Sequence, residues 1–182
     1  MCSSDLAELD ELASDLRDVL NQVHNRGVPF PGSQTMSGSR IFIRPTEQTM
    51  TLDSGGDDVA ITLFDSTGNQ SATTTLETIM TSNLYGTSGS QVQAANGPWT
   101  ITEVAAQVED WLQANGASGA TASIGTDGKM AIALNTTSLN LAFRDEAATA
   151  DGSTAEDVVI SYDANGDGVS DETVSGSSYF FG

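Results

Sequence analysis

Asp163, Asn165, Asp167 and Asp171 place side-chain oxygens at the first, third, fifth and ninth positions of one short loop, with Gly168 at the sixth. That spacing opens a calcium loop, in which hard oxygen ligands wrap a cation and the glycine permits the sharp turn. The twelfth position is Val174 where an EF-hand needs a bidentate glutamate, and the flanking stretches read as strands, so a standard EF-hand is excluded. Two readings remain. In the preferred one the loop is an acidic, glycine-rich turn whose Asn and Asp side chains cap their own backbone. In the other, these four residues hold calcium weakly, and no other cofactor is expected.

Catalytic constellations are sparse. A Ser-His-Asp or Cys-His arrangement has only His24 to draw on, and that residue falls in the last turn of a predicted helix, where it acts as a cap. The acid pairs Asp57-Asp58, Asp145-Glu146 and Glu156-Asp157 carry the two carboxylates of a glycosidase, but each lies beside Gly, Ser or Ala in predicted loops and reads as solvated surface charge. Gly55-Gly56 lacks the Lys-Ser or Lys-Thr of a phosphate loop. Trp99 and Trp111 form a carbohydrate platform only if exposed, and Trp111 lies on the apolar face of its helix. No catalytic residue is assigned, and the chain is read as a non-enzyme.

The elements that position these residues fall into three parts. Over residues 5–25, Leu6, Leu9, Ala13, Leu16, Leu20 and Val23 recur at alternating spacings of three and four, forming one stripe of a long amphipathic helix. Asp5, Glu8, Glu11, Asp15 and Asp18 face water, and the stripe needs a partner. His24-Asn25-Arg26-Gly27 closes the helix, and Pro29 and Pro31 forbid its continuation. The division is therefore an N-terminal bundle helix (1–27), a linker (28–40) and a β-rich outer domain (41–182).

Within that domain, residues 41–43 and 59–64 read as strands, the latter entering the turn Asp65-Ser66-Thr67-Gly68-Asn69. Residues 73–82 stay undecided: the threonines favour a strand, whereas Leu76, Ile79 and Met80 have helical spacing. Thr100-Ile101-Thr102-Glu103 is a capping box, Val104, Val108, Trp111 and Leu112 follow at helical spacing, and Asn115-Gly116 stops a helix over 101–114. It packs over a hairpin of residues 117–125 and 130–134, joined at Asp127-Gly128 by a two-residue turn with positive φ at both positions. Residues 139–143, 158–162 and the run through Tyr179, Phe180 and Phe181 add strands. The fold class is α+β: a β-rich domain with a helix packed over strands, preceded by the long N-terminal helix.

Charge narrows the partners. Six Lys and Arg against 25 Asp and Glu leave a formal charge of −19 on 182 residues, which repels a phosphate backbone and an anionic lipid surface. Neither nucleic acid nor membrane is an expected partner, and the sequence contains neither an apolar membrane span nor a Sec-type signal. Cys2 is the single cysteine, so there is no disulfide framework.

Several segments resemble a known family. Leu9-Asp10-Glu11-Leu12-Ala13, Leu16-Arg17-Asp18, Asn21 and Val23-His24-Asn25-Arg26-Gly27 resemble the helix of flagellar hook-associated protein 1, the hook-filament junction protein, where it leaves the helical bundle for the outer domains. The run from Asp58 through Phe64 to Asn69 is similar to strand-turn segments of that family and of hook proteins. Trp99-Thr100-Ile101 through Trp111-Leu112, then Ala122-Ser123-Ile124 and Asp127-Gly128-Lys129, look like its helix-plus-hairpin unit; Leu139 to Asp145 and Tyr179-Phe180-Phe181-Gly182 also look like members of this family. The resemblance implies an extracellular structural subunit of the bacterial flagellum, exported without a cleavable signal and serving flagellum assembly and motility. Its implied partners are the hook protein, the second junction protein and copies of itself. The family's long terminal heptad helices are missing, so this piece alone is expected to be monomeric. Two alternatives stand beside it: an extracellular adhesin or surface-layer module binding calcium or glycans, and an acid-pair glycan hydrolase. Neither accounts for the leucine stripe.

Overall fold

The computed structural model describes residues 8–13, 16, 20, 32–53, 56–82, 93–146 and 157–181. Along the chain run β1 (Thr35–Ser37), β2 (Thr49–Leu52), β3 (Asp58–Asp65), β4 (Gln70–Thr75), α1 (Leu76–Thr81), β5 (Trp99–Thr100) and α2 (Ile101–Ala114). β6 (Thr121–Ile124), β7 (Met130–Ala133), β8 (Leu139–Glu146), β9 (Val159–Asp163), β10 (Glu172–Ser175) and α3 (Ser178–Phe181) follow. The strands form three sheets, ordered β4-β3-β8, β10-β9-β2-β5 and β1-β7-β6. Every pairing is antiparallel, so the molecule is α+β with antiparallel sheets dominant.

Alternation in β3 and β8 decides which face of their sheet turns inward. Val59, Ile61 and Leu63 stand opposite Asp145, Phe143 and Leu141, and these residues are all buried. The other face carries Thr62 beside Thr73 of β4, their hydroxyls 3.0 Å apart. α2 closes the core over β6 and α1 with Ile101, Val104, Val108, Trp111 and Leu112. Its boundaries match the sequence expectation because both ends are written locally. Thr100 Oγ1 accepts the Glu103 amide at 3.3 Å, the Thr100 amide donates to Glu103 Oε2 at 2.9 Å, and Gly116 takes φ +105° beyond the last turn.

The undecided stretch 73–82 divides into both readings: β4 ends at Thr75, which caps α1, and Leu76, Ile79 and Met80 are the buried face of that helix. Several expectations are corrected. Residues 32–40 are no linker. β1 pairs with β7, Ser33 bridges Leu141, and the amides of Gly38 and Arg40 donate to Met130 O and Tyr179 O at 3.0 and 3.1 Å. Residues 41–43 form no strand: Phe42 points into the core and donates its amide to Gly128 O, while Ile41 and Ile43 lie exposed. The strand in this region is β2, beginning six residues after Ile43 at Thr49–Leu52, where Met50 and Leu52 alternate inward.

Tyr179–Phe181 belong to a helical turn instead of a strand. Ser177 O accepts the Phe180 and Phe181 amides, both at 3.0 Å, and the turn buries two consecutive phenylalanines where strand alternation would expose one. The β6–β7 turn also differs from expectation. Gly128 alone has positive φ (+79°), Gly128 N donates to Gly125 O, and Gly125 N donates to Lys129 O; this is a three-residue loop with glycine in the left-handed position. β3 and β4 use the same device, with Gly68 at φ +87° and Asp65 pairing with Asn69.

Candidate functional site

The loop between β9 and β10 brings Asp163, Asn165, Asp167 and Asp171 together, and their oxygens serve the loop's own backbone. Asp163 accepts the amides of Gly166 and Gly168 at 2.6 and 2.7 Å, one on each carboxylate oxygen. Asp171 Oδ2 accepts the amides of Ala164 and Asn165 at 2.9 and 3.0 Å, and its Oδ1 accepts Asn165 Nδ2 at 3.1 Å. Asn165 and Asp167 each accept the amide two residues on, at 2.8 and 2.9 Å. Burial pushes the Asp163 carboxyl up, but the amides of Gly168, Gly166, Asp167 and Asn165 outweigh it and hold the group below the usual carboxylate range. Gln48 Nε2 donates to Ala164 O at 2.7 Å, and Arg44 donates to Asn165 O, fixing the loop to the chain before β2. Among the described residues no three His, Cys, Asp or Glu side chains are grouped to hold a metal ion.

Beside this loop lies an anchor that sequence reasoning missed. The Arg40 guanidinium stacks over the Tyr162 ring, 4.1 Å from its centroid, and donates to both carboxylate oxygens of Glu172 and to the Tyr179 hydroxyl at 3.0 Å. It therefore ties β9, β10 and α3 to the segment entering from β1. The Glu172 carboxyl is held below its ordinary range by that hydrogen bond, against the opposing effect of burial. Tyr162 continues the contact inward, packing edge-on against Phe42 and Phe180 at 6.1 and 5.7 Å.

Asp145 and Glu146 lie in β8 and Asp58 in β3 instead of in solvated loops, which corrects the sequence reading of these residues. Asp145 and Glu146 are consecutive residues of β8, so alternation sends them to opposite faces, where they cannot act on one substrate atom. Glu146 pairs with Arg144 at 2.6 Å on the outer face. Asp145 is 4% exposed and accepts the Ser177 amide on Oδ1 at 2.9 Å. Burial raises its carboxyl above the usual range against the hydrogen bonds from Ser177, and the charge of Asp157 raises it further. Asp57 accepts the Val159 amide at 3.1 Å, and Asp58 accepts the amides of Val59 and Glu77 at 2.7 and 3.1 Å, so both brace neighbouring elements. The signal for Asp145 was present: the alternation Leu139, Leu141, Phe143 reaches it with one further step.

Trp99 and Trp111 are fully enclosed, at 0% and 1% exposure, and offer no carbohydrate platform. Of the stripe residues, Leu9, Ala13, Leu16 and Leu20 are helical and exposed, and so is Leu12. The four leucines are 58–63% exposed. Leu6 and Val23 lie outside the described residues, as do most of the expected helix over 5–25, Cys2, His24 and its cap, Gly55 and Glu156. No family model, curated protein or solved structure matches the chain.

Proposed function

We propose that this protein is a non-enzymatic structural subunit of the bacterial flagellum, of the kind that joins hook to filament. The observation carrying this reading is the set Leu9, Leu16 and Leu20, helical and 58–61% exposed, none of them part of the described apolar core. Each leucine left in water forgoes about 1.5–3 kcal/mol of burial, which a bundle of matching helices recovers on assembly. In this reading residues 5–25 form a single amphipathic helix, with Leu6, Leu9, Ala13, Leu16, Leu20 and Val23 as its seam. Its partners are other axial proteins: the hook protein, the second junction protein and further copies. The β-rich domain projects outward, and its acidic surface keeps it solvated outside the cell.

The test is Leu16→Asp. The purified chain should keep its melting temperature within the error of the measurement, while the same change in the protein as the source cells make it should block its incorporation between hook and filament. A drop of several degrees in the purified chain would show that the stripe packs on its own domain, and would contradict this reading.

A further inference from the structure

Asp145 occupies a place that the apolar pattern of its strand reserves for a core residue. It follows Leu139, Leu141 and Phe143 on the inner face of β8 and stands opposite Val59. Oδ1 accepts the Ser177 amide, and the Ser177 hydroxyl and Val158 amide also favour the charged form, whereas burial opposes it and the buried Oδ2 has no hydrogen bond of full geometry among the described residues. Burial penalises the ionised carboxylate in that position by more than these hydrogen bonds recover, while the protonated form does not bear that penalty.

What this carboxyl touches makes the penalty mechanical. Ser177 begins the turn of α3, its carbonyl accepting the Phe180 and Phe181 amides, and Phe181 stacks on Phe143 at 4.7 Å. The preceding residue, Gly176, donates to Val158 O at 2.9 Å, tying the same link to the segment that enters β9. The charged surroundings can be named element by element. The β9 approach contributes Asp157, a like charge; the α3 link contributes Ser177 and no charge; β3 contributes Val59 opposite. Asp58, Arg144 and Glu146 belong to the other face of the β3–β8 pair, and Asp57 is engaged with the Val159 amide. No cation among these neighbours offsets Asp145 on the inner face.

We infer that Asp145 is a pH-sensitive latch: protonated, it lets the Gly176-Ser177 link and α3 seat against β8, and ionised, it loosens that link towards water. The direction agrees with the raised carboxyl, whose stabilising contribution is complete below the ordinary Asp range and is lost as pH rises through the folded value.

The test is amide hydrogen exchange, corrected for intrinsic rates, from below the ordinary Asp range at about pH 3 up to about pH 8 on the wild type, Asp145→Asn and Asp157→Asn. Wild-type protection at Gly176, Ser177, Phe180 and Phe181 should be lower at the higher pH. It should stay level in Asp145→Asn, which keeps the acceptor for Ser177 and removes the charge, and the fall should shrink in Asp157→Asn. Level protection in the wild type, or the full wild-type fall in either variant, would overturn the inference; if Asp145→Asn does not fold, the Asp157→Asn result decides.

Discussion

Arg40 and Asp145 show how single side chains couple distant parts of this chain, with opposite dependence on pH. Arg40 meets Glu172 from 132 residues away and is flanked by Tyr162 and Tyr179. Replacing it by lysine keeps the charge and loses the forked hydrogen bonds and the flat stack, so Arg40→Lys should cost about 1–2 kcal/mol in chemical denaturation. Because the Glu172 carboxyl lies below its ordinary value, the pair's contribution is present above that ordinary value and is lost as pH falls through the folded one. The gap in melting temperature between wild type and Glu172→Gln should therefore be wider at pH 7 than at pH 3; a constant gap would mean that the pair contributes nothing. Neither partner was legible in the sequence, since a pairing over this span leaves no local pattern. Asp145 was half legible: its strand was recognised, and ending that strand at Phe143 concealed its inward position.

Local grammar carried the elements that were read correctly, and long-range packing decided the rest. The helix over 101–114 was legible because its cap, its apolar spacing and its stop all lie within sixteen residues of Thr100. The segment 41–43 misled because three apolar residues in a row suggest a strand, yet only Phe42 finds the core. The C-terminal aromatic run misled for a related reason, since apolar content does not distinguish a buried strand from a buried turn. Turn chemistry yields a graded prediction. At Gly128 an added Cβ would meet Ile41 Cγ2 at 2.8 Å and Phe42 O at 3.2 Å, in a backbone at φ +79°. At Gly168, with φ +86°, it would meet nothing within 4 Å. Gly168→Ala should cost about 1–2 kcal/mol from backbone conformation alone, and Gly128→Ala clearly more, as read from urea denaturation midpoints. Equal costs would mean that the β6–β7 turn does not clasp the segment at Phe42.

At the scale of the whole molecule, three antiparallel sheets and the described helices close around one apolar cluster, in which Trp99, Trp111, Phe180 and Phe181 are buried. The α+β class was legible because alternating strands and one strongly written helix dominate the sequence after residue 40, whereas most of the expected long N-terminal helix lies outside the described residues. The pairing order of the strands was not, because β2 joins β9 and β3 joins β8 across long stretches of chain. Of the leucine stripe, Leu9, Leu16 and Leu20 are exposed, and Leu6 and Val23 lie outside the described residues, so the proposed assembly role rests on these three leucines. The direct test of that role is immunogold electron microscopy of the source cells with antibody raised against this chain. A flagellar junction subunit predicts gold confined to a narrow band between hook and filament, and gold spread over the cell envelope would contradict it.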